Sequence, residues 1–126
     1  MKPIFPSSHA IIDYLLATFL AVAPALWGFT GYPAQLSYVL AGIFFVMSLL
    51  TNYNGGMIKI IGFAIHGLFE LIIGVATIII AYKNLTGSQS AEHFFILLGI
   101  GMLMFWVLSD YNYIAPDDNR RRFHTR

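Results

Sequence analysis

No Asp, Glu, Lys or Arg occurs between Asp13 and Lys59, a neutral run of 45 residues from Tyr14 to Ile58. A soluble domain needs charge over most of its surface, roughly a quarter of its residues. A stretch this long without one has no face to offer water. The rest of the chain agrees: of 126 residues, 58% are apolar and 10% are charged. This composition excludes a soluble globular enzyme, a disordered chain and a nucleic-acid-binding module. It predicts one small all-α integral membrane domain.

Four apolar stretches are candidates to cross a hydrocarbon core of about 30 Å, which takes about 20 helical residues. They run from His9 to Phe29, Gln35 to Leu50, Ile61 to Tyr82 and His93 to Tyr113. Alternation of period two is absent, so helices rather than a closed barrel are expected. Turns are read at Gly28 to Pro33 and Thr51 to Gly56, and a polar loop at Lys83 to Ser90 with Ser90 as N-cap. Pro24 should free one backbone carbonyl of the first helix for a neighbour to satisfy. Four Arg follow the last span, and Lys2 and Lys59 fall on the same side against Lys83 alone. Both termini are therefore expected in the cytoplasm. The basic tail should meet anionic headgroups. The first span is read as retained: a signal-peptide core would contain His9 and Asp13, and its best cleavage site precedes Pro24. Without Cys, disulfide, thiol and thiolate-metal chemistry are excluded.

The two halves resemble each other. His9-Ala10-Ile11-Ile12-Asp13 matches His66-Gly67-Leu68-Phe69-Glu70 at an offset of 57, and Leu50-Thr51-Asn52-Tyr53-Asn54 matches Leu108-Ser109-Asp110-Tyr111-Asn112 at 58. The expected architecture is two helical hairpins, residues 7–56 and 57–114, followed by a polar basic tail, 115–126. Two spans per unit make the repeats parallel, with a pseudo-twofold axis along the membrane normal. That geometry gathers His9, Asp13, His66, Glu70, Asn52, Tyr53, Asp110 and Tyr111 toward one face of the bilayer. Ala10 and Ala17 flank Asp13, and Gly67 and Gly74 flank Glu70, on the acid-bearing helix faces. Small residues permit close helix approach, so the first and third helices are expected to cross at the axis with the acids adjacent.

At these residues the chain resembles the SPW-repeat family of small bacterial membrane proteins. The shared features are the His-x-x-x-Asp-Tyr opening at His9 to Tyr14 and the turn Leu50 to Gly56. Pro24, Trp27 and the Gly28-Phe29 ending stand where the family carries its Ser-Pro-Trp motif; the second half lacks that motif. His93 stands where the family often opens its last helix with His. The resemblance implies two copies of a two-helix unit in a bacterial inner membrane. It carries no activity.

Ionisable residues inside a membrane are costly and point to function by default. Two His and two carboxylates at i, i+4 on facing helices form a ligand set for zinc or iron. Against this stands a structural reading, in which each His bonds the acid one turn on and the pairs lock the repeat interface. Haem fits poorly between helices lined by Ala10, Ala17, Gly67 and Gly74. Two close acids could share a proton, yet no polar residues continue through the other half of the membrane. Trp27, Tyr32, Tyr38 and Tyr82 suit an outer aromatic belt, and Tyr53, Tyr111 and Tyr113 an inner one. Three functions follow as expectations. The first is a scaffold, accessory subunit or small-ligand binder whose polar face meets a membrane-protein partner or a second copy. The second is a metal-dependent enzyme or redox protein using His9, Asp13, His66 and Glu70. The third is a lipid or quinone site between the helix pairs.

Overall fold

The computed structural model describes residues 2–53 and 55–112. Tyr113 and the basic tail lie outside the described residues. Four helices account for most of the chain: α1 Pro6–Trp27, α2 Tyr32–Leu50, α3 Phe63–Asn84 and α4 Gln89–Leu108. Each is long and apolar enough to cross a membrane. Their outward faces are apolar, with Leu15, Leu26, Leu68 and Leu97 all more than half exposed, while Leu20, Phe44 and Phe95 are fully buried between helices. Exposed apolar surface of that extent suits lipid rather than water.

The helix ends follow local chemistry. Pro6 opens α1, where a missing amide costs nothing. Gly28 closes it in the left-handed conformation, φ 67°, which glycine adopts without strain. Inside α1, Pro24 leaves the Leu20 carbonyl without its amide, and Ser37 of α2 donates its hydroxyl there at 2.6 Å. Helix α4 starts earlier than the apolar pattern suggests, so Ser88 rather than Ser90 holds the N-cap position. It also stops at Leu108, short of Tyr113, because the backbone beyond it pairs with the start of the chain.

That pairing has a counterpart. Ile4 and Ser109 form a parallel bridge, as do Thr51 and Ile61. In the first, Ile4 N donates to Leu108 O (3.2 Å) and Asp110 N to Ile4 O (2.9 Å). In the second, Ile61 N donates to Leu50 O (2.8 Å) and Asn52 N to Ile61 O (2.7 Å). Ile61 follows Ile4 by 57 residues and Ser109 follows Thr51 by 58, the offsets of the sequence repeat. Each clasp ties the start of one half to the end of the other.

The close helix pairs are α1 with α2 and α3 with α4. This corrects the expectation that small residues bring α1 against α3. Gly74 faces Gly99 and Leu103 of α4, Gly67 backs onto Tyr111, and Ala10 abuts Gly55. Ala17 belongs to the buried core with Leu20 and Phe44. Small residues here tighten each hairpin within itself. The tightest approach between two helices is at Gly99, where a Cβ would lie 2.8 Å from the Gly74 carbonyl oxygen and 2.5 Å from Ile78 Cγ1. Gly99→Ala is expected to destabilise the protein by about 1–3 kcal/mol, the usual penalty of overpacking. Thermal unfolding in detergent checks this; an unshifted midpoint would contradict so close an approach. At the end away from the clasps, Phe19, Trp27 and Phe29 meet Phe94 of α4 with ring centroids 5.1–5.8 Å apart.

Candidate functional site

The i, i+4 spacing puts His9 and Asp13 on one face of α1, and His66 and Glu70 on one face of α3. The two faces meet at the clasped end. His9, Asp13 and His66 are fully buried, and Glu70 is 3% exposed. One donor atom from each of the four lies within 4.8 Å of the others. Contacts between halves are short: His9 Nε2 is 3.2 Å from Glu70 Oε1, and His66 Nε2 is 3.2 Å from Asp13 Oδ2. Contacts within a helix are longer, 3.4 Å for His9 to Asp13 Oδ1 and 3.7 Å for His66 to Glu70 Oε1. So α1 and α3 meet through side chains rather than backbones.

The rear of each imidazole is fixed. His9 Nδ1 lies 2.9 Å from Ser109 Oγ, and His66 Nδ1 lies 2.7 Å from Thr51 Oγ1. Each hydroxyl already gives its proton to a helix carbonyl one turn back: Ser109 to Phe105 O at 2.8 Å, Thr51 to Met47 O at 2.6 Å. A hydroxyl has one proton to give, so each must accept from its histidine. Both imidazoles therefore carry their proton on Nδ1 and turn Nε2 toward the centre.

The carboxylates are held similarly. Tyr53 donates its hydroxyl to Asp13 Oδ2 at 3.0 Å, and Tyr111 donates to Glu70 Oε2. Burial, with the neighbouring carboxylate next, pushes both phenols above their ordinary range. They stay protonated and act as donors. Phe63 and Phe105 wall the centre, with ring centroids 5.0 and 4.4 Å from that of His9.

Two buried atoms among the described residues lack a hydrogen-bond partner, Asp13 Oδ1 and His66 Nε2. Both belong to the central group. Buried polar atoms are nearly always satisfied, so an orphan calls for a ligand or a proton. With neutral imidazoles the cluster carries two negative charges in an apolar interior, which is costly. Two protons on the Nε2 atoms would balance them, and so would one divalent cation. The donor set suits the cation. Bonds of about 2.0–2.2 Å in a tetrahedral zinc site put ligand atoms about 3.4 Å apart. The four His-to-carboxylate distances, 3.2 to 3.7 Å, are close to that value, though they draw on both Asp13 oxygens; taken as one atom per residue the donors lie within 4.8 Å of one another, so an ion would draw them together.

Of the eight residues expected to cluster, six converge: His9, Asp13, His66, Glu70, Tyr53 and Tyr111. Asn52 and Asp110 do not. Asn52 is exposed, and Asp110 turns its carboxylate to the Asn112 amide at 3.3 Å. The backbones of both are committed to the clasps, which sends their side chains away from the centre. Tyr53 and Tyr111 leave the inner aromatic belt for the same centre; Trp27, Tyr32, Tyr38 and Tyr82 are exposed near the opposite end. Sequence reading missed Thr51 and Ser109. The signal was present, since both open the repeated turn and keep a hydroxyl at matched positions. Compared with known protein families, curated proteins and solved structures, the chain matches none.

Proposed function

We propose that this is a small-ligand-binding integral membrane protein whose ligand is one divalent transition-metal ion, zinc first and iron(II) second. His9 and His66 would bind through Nε2, and Asp13 and Glu70 through one oxygen each. The observation that carries this reading is the orphaned pair, Asp13 Oδ1 and His66 Nε2, aimed at a common centre with the other two donors. The surrounding bonds support it: metal-binding imidazoles usually give their far N–H to a fixed acceptor, and binding carboxylates are usually hydrogen-bonded too. Ser109, Thr51, Tyr53 and Tyr111 supply those partners. Thiolates are absent, and the N/O donor set suits zinc or iron(II).

The same proposal places the four helices across the plasma membrane of a bacterium, with both termini and the metal centre toward the cytoplasm. The asymmetry of Lys and Arg supports that orientation. It also takes the halves as parallel repeats about an axis along the membrane normal, in the manner of the SPW-repeat family. Support comes from the paired contacts: both clasps, both hydroxyl-to-Nδ1 bonds and both tyrosine-to-carboxylate bonds recur at offsets of 57 or 58.

Elemental analysis of the purified protein tests the metal reading. After equilibration with zinc and removal of excess, about one equivalent per chain should remain. A folded wild type that holds none sinks the proposal. That result would favour the structural reading, in which imidazolium protons bridge the halves as the His9 to Glu70 hydrogen bond suggests.

A further inference from the structure

A buried ion needs a way in. The four donors are shut off on most sides. Toward the far end of the bundle lie Leu20, Phe44 and Phe95, all fully buried. Sideways, Glu70 borders a cleft between α1 and α4 whose walls include Ile12, Leu16, Met102 and Phe105. No polar side chain but Glu70 lines that cleft. In a membrane it opens onto lipid, where a charge is costly. The clasped end remains, where the helices finish.

At that end the centre is covered by Phe63. It is the first residue of α3, and His66 and Glu70 follow it by three and seven residues. The three share one helix face. At 1.5 Å per residue Phe63 stands outside the two ligands by about 4.5 and 10 Å. Its ring centroid lies 5.0 Å from that of His9, 5.6 Å from Tyr53, 6.1 Å from His66 and 4.8 Å from Tyr111. Those four rings come from both halves, so Phe63 sits over the seam between them. His9 and His66 are fully buried and Tyr53 nearly so, whereas Phe63 is half-buried.

The ring is free to move where its neighbours are not. Tyr53 and Tyr111 are tied to Asp13 and Glu70 by their hydroxyls. Each histidine is tied through Nδ1 to a hydroxyl. Phe63 has no polar side-chain atom and is held by packing alone. A residue at the start of a helix has no preceding turn for its side chain to strike. The residue before it is Gly62, where even a Cβ would meet nothing within 4 Å. The halves differ here: the counterpart 57 residues earlier is Pro6, whose ring is locked to the backbone. One movable ring thus serves the whole centre.

We propose that Phe63 is the gate through which a divalent ion passes between water at the clasped end and the His/carboxylate centre. This rests on the metal reading and adds to it a route and the residue that sets the rate.

The test follows zinc exchange on the full chain in lipid nanodiscs, which keep the sideways cleft against lipid. Release is timed after adding excess chelator, and uptake after adding zinc to the stripped protein. Phe63→Ala should speed both by about tenfold or more, a barrier lowered by about 1.4 kcal/mol, and leave the dissociation constant unchanged. Phe63→Leu keeps part of the bulk and should fall between. If the alanine variant does not fold, the leucine variant decides: faster exchange than wild type supports the gate, and equal exchange overturns it. Wild-type rates in both variants overturn the gate and leave the metal site standing. Faster release with unchanged uptake also overturns it, since Phe63 would then support the bound donors rather than bar the path. A wild type that holds no zinc removes both readings, and elemental analysis before the kinetics tells that case apart.

Discussion

His66→Ala should strip the centre of its ion and cost about 3–5 kcal/mol of stability, as when one partner of a buried charged group is removed. The loss is large because of what stays behind. Asp13 and Glu70 are left in a dry interior, where each must carry an uncompensated charge or take up a proton, and their remaining counter-group, His9, lies in the other hairpin from Glu70. Thermal unfolding in detergent and elemental analysis should move together, with the midpoint falling and zinc dropping below a tenth of an equivalent. His9→Ala should behave alike, since its contacts mirror those of His66. The double variant should cost less than the sum of the singles, because the four side chains form one network. A His66→Ala protein that melts with wild type would show that the centre bears no load.

Thr51→Val should weaken zinc binding about 10- to 100-fold, the usual effect of losing a hydrogen bond that orients a metal-binding histidine. Valine matches threonine in shape but offers His66 Nδ1 no acceptor. The ring could then rotate or move its proton to Nε2, the atom needed for the ion. Competition with a chelator of known affinity reads the change. Thr51→Ser should restore binding, because Ser109 does the same work with the smaller side chain in the other half. If Thr51→Ser is as weak as Thr51→Val, the threonine methyl matters and the positioning role fails.

Much of this was legible in the sequence. The 45-residue neutral run and the apolar stretches gave four helices, since nothing else hides so much uncharged backbone. The repeat offsets and i, i+4 spacing gave His9, Asp13, His66 and Glu70. Two kinds of information were missing. The first was which helices touch. Gly74 marks close approach, but a small residue does not say to whom, and its neighbour is Gly99 in the same hairpin. The second was the difference between a turn and a ligand cradle. Thr51, Asn52 and Tyr53 look alike as polar turn residues, yet strand-like pairing at Thr51 alternates their directions. Thr51 and Tyr53 point to the centre and Asn52 away. Ser109, Asp110 and Tyr111 repeat that pattern. The alternation is set by Ile4 and Ile61, which are distant from the motif or unremarkable within it.

The two clasps are chemically alike but close loops of very different length. Thr51 and Ile61 are neighbours along the chain, whereas Ile4 must find Ser109 across nearly the whole of it. Closing a longer loop costs more entropy, about 0.6 kcal/mol for each doubling, and distant contacts form late. The Thr51 to Ile61 clasp is therefore expected to form first, setting His66 against Thr51 before α4 is in place. Ser109 reaches His9 only when α4 is in place. On that order the centre is the last piece to be assembled, and an ion would enter a protein otherwise complete.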